Sequence, residues 1–366
     1  MKFTCEKALL LTAVNAASRT VTARSSIPAL EGILVETSRT TVSLTGYNLA
    51  TGIRSMISVE NAEEGAIVIN ARLLGDIVRK SPDDWITVAA DDQLNITISC
   101  GMSQFTLMGL SSEDFPALPE AEGDTSLRME RNKLRSMLSM TGFAVSDNEA
   151  KPIHTGELFD FKDGILTVVA VDGFRLAVRR EEVDASQKEF SFVVPGSALR
   201  EVERLCGDTD ELVTVSVGRR HICFDFGDSV LISRLLEGEF LNYKAAIPDV
   251  SRYTVTVSAQ ELRDSVERVS LIISEKLKNP IRCEFGDGSI RIWCSTSLGR
   301  ANDEISCVGS GGGIEIGFNN KFLQDAVRAV PDERVVLKVT SGLSPCILAP
   351  EEGSDYLFMV LPVRLK

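Results

Sequence analysis

Histidine is almost absent from this chain of 366 residues, which has only His154 and His221. That scarcity counts against His-based metal sites and against Ser-His or Cys-His catalysis. The eight cysteines, at 5, 100, 206, 223, 283, 294, 307 and 346, form no C-x-x-C pair, and most fall in apolar, strand-like stretches. They are expected to be small buried hydrophobes rather than ligands or disulfides. No glycine-rich run ends in Gly-Lys-Ser/Thr, and no G-x-G-x-x-G opens a helix after a strand, so phosphate cradles are missing. The run 309–313 (GSGGG) reads as a flexible connector. No apolar run approaches the roughly 18–20 residues of a membrane-spanning helix. The first residues lack the basic, then apolar, then small layout of a secretory signal, so a cytoplasmic protein is expected. Acids outnumber bases, 52 to 39, for a net charge of −13. That argues against indiscriminate nucleic-acid binding but leaves open where the charges lie.

What the chain does have is periodicity. One hydrophobic core stops growing near about 250–300 residues, so two or three domains are expected. Six times a short β-like stretch (2–5, 66–70, 126–130, 189–195, 252–258, 313–318) runs into an amphipathic segment. Those segments begin near Glu6, Asn70, Asn132, Ser197, Ser258 and Asn319, so a helix opens about every 60 residues. Ser258-Ala259-Gln260-Glu261 is a capping box, and Leu262, Val266 and Val269 follow on one helical face. Phe322, Leu323, Ala326, Val327 and Val330 repeat the pattern until Pro331 stops it. Between helices, residues 41–44, 165–171, 212–217, 289–294 and 334–339 read as strands, and Asp163-Gly164 and Asp172-Gly173 as hairpin turns. A longer repeat relates the segments after Thr45, Val171 and Thr296, and also Asp114-Phe115-Pro116 to Glu239-Phe240-Leu241. Three domains of two half-units each follow, with linkers near 116–125 and 246–252.

The helical windows hold fourteen basic residues against nine acidic ones, so they are cationic in a chain that is otherwise anionic. Arg72, Arg79, Lys80, Arg131, Lys133, Arg135, Arg200, Arg204 and Arg328 lie on them. One such helix is an ordinary solvated face. Six quasi-equivalent ones on one side of a curved sheet would make a continuous positive surface that attracts duplex DNA by counterion release, without reading its sequence. Paired carboxylates such as Glu63-Glu64, Asp91-Asp92 and Glu351-Glu352 sit at turns, and no nucleophile stands beside a base. The apolar segment 356–365 reads first as a buried final strand, with Pro362 leaving Val363 and Leu365 near a surface where a partner peptide could dock.

These residues resemble the bacterial DNA polymerase III beta subunit family, the sliding clamps, along the whole chain. The resemblance is carried by Met1-Lys2-Phe3-Thr4, Val42-Ser43-Leu44-Thr45-Gly46, Glu113-Asp114-Phe115-Pro116, Val171-Asp172-Gly173-Phe174-Arg175-Leu176-Ala177-Val178, Ile316-Gly317-Phe318-Asn319 and Leu361-Pro362-Val363-Arg364-Leu365. It implies an α+β DNA-clamp fold of three similar domains (1–121, 125–247 and 250–366). Each would have two helices backed by antiparallel sheets, and two chains would assemble head to tail into a ring. It implies a non-catalytic processivity subunit with no cofactor and no metal. Implied partners are double-stranded DNA without sequence preference, a second copy of the chain, the replicative polymerase subunit, the clamp loader, and other polymerases and repair proteins carrying clamp-binding peptides.

By the same resemblance, Arg24, Arg72, Arg79, Lys151, Arg200 and Arg204 would face DNA. Phe105 and Leu107 would meet Leu271 and Ile272 of the second subunit. The peptide groove would comprise His154, Val171, Gly173, Phe174, Arg175, Leu176, Leu241, Ala245, Ala246, Asn319, Phe322, Leu343, Met359, Val360, Leu361, Pro362, Val363 and Arg364. Four groove positions depart from the family's usual residues: Leu241 stands for proline, Ala245 for arginine, Phe174 for histidine and Leu361 for methionine. The competing readings are a repeat-built scaffold that binds peptides but not DNA, and an enzyme using a carboxylate cluster.

Overall fold

The computed structural model describes residues 1–121, 123, 125–185, 189–274 and 279–365. Residues 122 and 124 of the expected 116–125 linker, and Lys366 at the end of the third expected domain, lie outside them. The described residues form seven α-helices: α1 (Lys7–Ser18), α2 (Ala71–Lys80), α3 (Arg131–Thr141), α4 (Gly196–Cys206), α5 (Tyr243–Ala246), α6 (Ala259–Ser270) and α7 (Asn320–Arg328). Six of them stand where the periodicity placed them. The exception is the four-residue α5, too short to show a 3.6-residue period. Local chemistry sets the starts: the side chains of Asn70, Ser258 and Asn319 each accept a backbone N–H three residues on, satisfying a donor that the helix leaves unpaired.

All strand pairing is antiparallel, and the chain divides into two compact units. The first comprises Met1–Asn132, Asp184–Gln187 and Glu201–Leu235. Its nine-stranded sheet runs, in spatial order among the described residues, Asp184–Ala185, Thr125–Glu130, Leu212–Val217, His221–Asp225, Ser229–Arg234, Thr51–Ser58, Thr41–Tyr47, Gly32–Thr37 and Gly65–Asn70. A four-stranded sheet follows the order Lys2–Glu6, Trp85–Ala90, Asn95–Cys100, Ser103–Met108. Ile86, Val88, Ile96 and Ile98 of the small sheet point to one face and meet Ile33, Val35, Leu44 and Ile69 of the large one. Leu10 and Val14 of α1 and Leu74, Ile77 and Val78 of α2 complete that core, as the period-2 strands and period-3.6 helices require.

The second unit comprises Lys133–Val183, Lys188–Arg200 and Leu236–Lys366. Its ten-stranded sheet has the order Glu189–Pro195, Gly156–Lys162, Ile165–Val171, Arg175–Glu182, Tyr356–Val360, Cys346–Ala349, Arg334–Val339, Tyr253–Ser258, Gly299–Phe318, Ile281–Thr296. Leu262, Val266 and Val269 of α6 and Leu323, Ala326 and Val327 of α7 pack with Val255, Ile290, Ile316, Val335 and Phe358. The segment 356–360 is therefore an interior strand, registered between Arg175–Glu182 and Cys346–Ala349. Asp163 and Gly164 both take positive φ (52° and 87°) and join paired strands at Lys162 and Ile165, as a two-residue hairpin turn demands.

The glycine-rich run is not a connector. Residues 309–313 lie inside the strand Gly299–Phe318, and the glycines are there because two other strands come too close for side chains. A Cβ on Gly309 would stand 2.4 Å from the Thr254 carbonyl oxygen, and one on Gly311 would stand 2.2 Å from Cβ of Phe285. Gly312 has φ +64°, and its Cβ would meet the Tyr253 ring at 2.4 Å. The cysteines behave as expected: all eight are thiols and six are buried. Burial, reinforced by Glu6, pushes the Cys5 thiol up to about 12, and burial pushes Cys346 to about 12, so neither is a ready nucleophile.

Candidate functional site

Three groups of side chains stand out, the first of them within the second unit. It is built on the turn Asp172–Arg175, which joins the strands Ile165–Val171 and Arg175–Glu182. Oδ1 of Asp172 accepts the N–H groups of Phe174 (2.9 Å) and Arg175 (3.0 Å), while Gly173 supplies the left-handed residue at φ +90°. The turns at Asn48 and Thr296, which the longer repeat matched to it, also use a side-chain oxygen to accept following N–H groups.

Arg175 is 7% exposed, deeper than its place at a turn suggests. Its guanidinium donates to Asp172 (2.8 Å) and Asp325 (2.6 Å), lies 4.5 Å from the Phe322 ring centroid and 5.4 Å from that of Phe143. Two carboxylates and two ring faces compensate its lost hydration. Asp325 and Phe322 come from α7, whose start is capped by Asn319, so the cation ties the turn to that helix. The far side of the turn is held by the chain's last segment: Leu361 N–H donates to the Phe174 carbonyl (2.8 Å), and Val363 N–H to that of Gly317 (2.8 Å).

Beside this turn lies an apolar cluster in which Val171, Leu176 and Met359 are buried with Leu158, Tyr243 and Ile347, while Ile153, Phe240, Ile247 and Leu361 flank them half-buried. Phe174 (60% exposed) and Leu241 (42%) are open to solvent, and so is Leu343. Gly173, Ala245 and Arg364 are also exposed; Ala246, Pro362 and Val363 are intermediate, and Val360 is buried. His154 stacks edge-on against Phe240 with centroids 5.6 Å apart. Burial first, and then Lys151, hold its imidazole below the ordinary histidine range, so it is neutral at neutral pH. Ile153, Phe240, Tyr243, Ile247 and Ile347 belong to this cluster but were not singled out as site residues. The matched motif at Phe115 was the signal for Phe240: Phe115 also packs in a small apolar cluster, with Leu30, Tyr47 and Val68.

The second group is cationic. In the first unit Arg24, Arg72, Arg79, Lys80 and Arg204 are exposed. Asp76 serves both Arg72 (4.0 Å) and Arg79 (3.0 Å), and Glu201 serves both Arg204 and Arg19, so each carboxylate offsets only part of the positive charge around it. In the second unit Lys151 and Arg200 are exposed. The six-helix expectation is not met evenly. The exposed positions of α1 are Ala8, Leu9, Thr12 and Asn15, without charge. On α6 and α7, Arg268 pairs with Asp303 (2.6 Å) and Arg328 with Glu267 (2.8 Å). Exposed cations are densest on α2, with Arg72, Arg79 and Lys80, and α4 adds Arg200 and Arg204.

The third group is apolar and exposed. Ser103–Met108 is an edge strand with no partner on its outer side among the described residues, and it presents Phe105 and Met108 (73% exposed) to solvent. Leu107 instead turns inward against its own core. In the second unit Leu271 is 84% exposed just past the end of α6, while Ile272 packs against the core there. Met102 and Met108, both exposed, were not anticipated.

Repeated helix-and-sheet units of this kind define the sliding-clamp fold, and the comparisons agree. Family profiles for the DNA polymerase III beta subunit match the chain as an N-terminal domain over residues 1–119, a central domain over 128–242 and a C-terminal domain over 244–364. The chain belongs to the DNA polymerase III beta subunit family: it has the three-domain clamp fold and is a processivity factor of DNA replication. The beta sliding clamp of Halalkalibacterium halodurans is 31% identical over 378 residues, covering all of both chains. The DNA polymerase sliding clamp of Bacillus subtilis superposes with a TM-score of 0.95 at 28% identity, again over all of both chains. A sliding clamp from Pseudomonas aeruginosa, solved bound to griselimycin, gives 0.94 at 29% identity and the same coverage.

Proposed function

We infer that two copies of this chain close head to tail into a ring that encircles duplex DNA and holds the replicative polymerase on it, without catalysing any reaction. The domains are 1–121, 125–247 and 250–366, so a closed dimer has six. Ring closure sets the open edge strand Ser103–Met108 of one copy, through Phe105, against Leu271 and Ile272 of the other. Such a heterologous contact closes only at the right rotation per subunit. An unpaired edge bearing large apolar residues is otherwise a liability that proteins cover, which supports this contact.

The observation that carries DNA binding is the excess of exposed cations over carboxylates on and around α2 and α4: Arg72, Arg79 and Lys80 beside Asp76, with Arg24, Arg200 and Arg204. Together with Lys151 they are suited to phosphates and indifferent to bases. Partners (the polymerase subunit, the clamp loader, other polymerases and repair proteins) dock short linear segments on the apolar cluster beside the Asp172–Arg175 turn, which binds apolar anchors with modest, exchangeable affinity. No helix among the described residues is long and apolar enough to cross a membrane, and the protein works in the cytoplasm on the chromosome.

The test is salt dependence. Replacing Arg72, Arg79 and Arg204 with Gln should weaken binding to a short linear duplex and lower the slope of log K against log salt by about 1 per cation removed. An unchanged slope would place the DNA contacts elsewhere.

A further inference from the structure

The repeat builds the same sheet face once in each unit, and the two copies carry opposite chemistry. Residues opposite each other on paired strands share a face. In the second unit the pairs Leu158–Val169, Val169–Val178, Val178–Leu357 and Leu176–Met359 lay down the apolar cluster. In the first unit the same ladder reads Leu34–Thr45, Thr45–Arg54, Arg54–Val230 and Gly52–Ile232. Where Leu361 N–H donates to the Phe174 carbonyl, Arg234 N–H donates to that of Ala50. Arg54 thus stands in the place of Val178, and Arg234 in that of Leu361. His221 lies directly across from Arg234, and Arg219 and Arg220 form the turn leading into it. This face is turned away from α1 and α2, since Val35 and Leu44, which alternate with Leu34 and Thr45, pack against those helices.

We propose that this cationic face is a second docking surface, which binds an acidic linear segment of a partner protein. Arg219, Arg220 and Arg234 are exposed, and Arg54 is half-buried with its Nε donating to Thr45 Oγ1 (3.4 Å). In a chain whose acids outnumber its bases 52 to 39, a solvated arginine readily finds a carboxylate. Arg54, Arg219 and Arg234 nevertheless make no ion pair among the described residues. Asp225, across from Val230, is the carboxylate these rows carry among the described residues, and it accepts the Gly227 N–H (2.8 Å). The field is positive at His221, whose imidazole is held below its ordinary range by burial first and then by Arg234 and Arg220. Strands about 4.8 Å apart hold the guanidinium forks at fixed spacing, and those forks match carboxylates. Single-stranded nucleic acid fits less well, because Tyr47 is buried and His221 half-buried, so bases find no open ring to stack on.

The probe is a fluorescein-labelled peptide, Gly-Glu-Glu-Ser-Glu-Glu-Ser-Glu-Glu-Gly, titrated with the full chain and read by anisotropy. It has no apolar side chain with which to engage the apolar cluster of the second unit. The unaltered chain should bind it at low salt and release it as salt rises. Combining Arg54→Gln, Arg219→Gln and Arg234→Gln should weaken binding about tenfold, and lysine at the same three positions by no more than about threefold. The lysine variant separates loss of the cations from loss of the fold. Combining Arg72→Gln, Arg79→Gln and Arg204→Gln, on α2 and α4, should leave the peptide's affinity unchanged. No binding by the unaltered chain, or equal losses in the two glutamine variants, would overturn the proposal. So would tighter binding of a labelled oligothymidylate of equal charge that depends on Arg54, Arg219 and Arg234, since the surface would then be a nucleic-acid site.

Discussion

Phe105→Asp combined with Met108→Asp is expected to leave the protein monomeric. Both side chains are exposed on the open edge strand Ser103–Met108, and a carboxylate buried there without a cation costs several kcal/mol by rough reckoning. Neither is among the described residues that form or flank the first unit's core, whereas Leu107, which does pack inward, is left untouched. Leu271→Asp, from the other side of the contact, should do the same, since Leu271 is 84% exposed in the single chain. Sedimentation should then report a species of 39.8 kDa for both variants and twice that for the unaltered protein. A dimer that survived both changes would put the subunit contact on another surface.

Arg175→Ala should destabilise the second unit more than any other single truncation near the turn. It strands the carboxylates of Asp172 and Asp325, which are 12% and 21% exposed at the side chain, and removes the cation from the face of Phe322. Breaking a buried ion pair from one side typically costs about 3–5 kcal/mol, most of it from the partners left behind. The urea transition of the second unit should therefore move to a clearly lower midpoint, resolved from that of the first because a chain of two compact units need not unfold in one step. Adding Asp325→Asn to Arg175→Ala should recover part of the loss, since it deletes one of the stranded charges. A midpoint unaffected by Arg175→Ala would mean that the guanidinium is not held as described.

The contrast between these two sites reflects what a sequence can carry. The strands 165–171, 212–217 and 334–339 were readable because β-branched runs bounded by turn residues are local signals, and they stand at Ile165–Val171, Leu212–Val217 and Arg334–Val339. The helices were readable for the same reason: cap, apolar face and stop fall within a dozen residues. The burial of Arg175 was not, because its second carboxylate lies 150 residues away on α7 and no local pattern announces it. Nor could pattern alone show that Ser229–Arg234 pairs with Thr51–Ser58, or that Arg175–Glu182 pairs with Tyr356–Val360.

The glycines of 309–313 misled because glycine means freedom in a loop and close approach in a sheet, and only the neighbours Thr254, Phe285 and Tyr253 decide which. The cationic reading fits α2 best, where Arg72, Arg79 and Lys80 stand against Asp76, whereas on α4 Arg200 and Arg204 are matched in number by Glu201 and Glu203. It weakened on α6 and α7, where Arg268 and Arg328 meet Asp303 and Glu267, because a charge count over a helical window cannot see partners on other elements. At the candidate peptide site the sequence motif marked the turn and the final segment. The apolar floor contributed by Ile153, Tyr243 and Ile347 emerged only once three separated stretches had packed together.

The central claim is topological, and one measurement addresses it most directly. The labelled protein is loaded onto nicked circular duplex with the clamp loader, freed of unbound material by gel filtration, and followed before and after a restriction enzyme cuts the circle. A closed ring stays on the intact circle through a high-salt wash and leaves as soon as the DNA has ends. Equal retention on circular and linear DNA, or loss from both in high salt, would mean that the protein grips the duplex from outside and does not surround it.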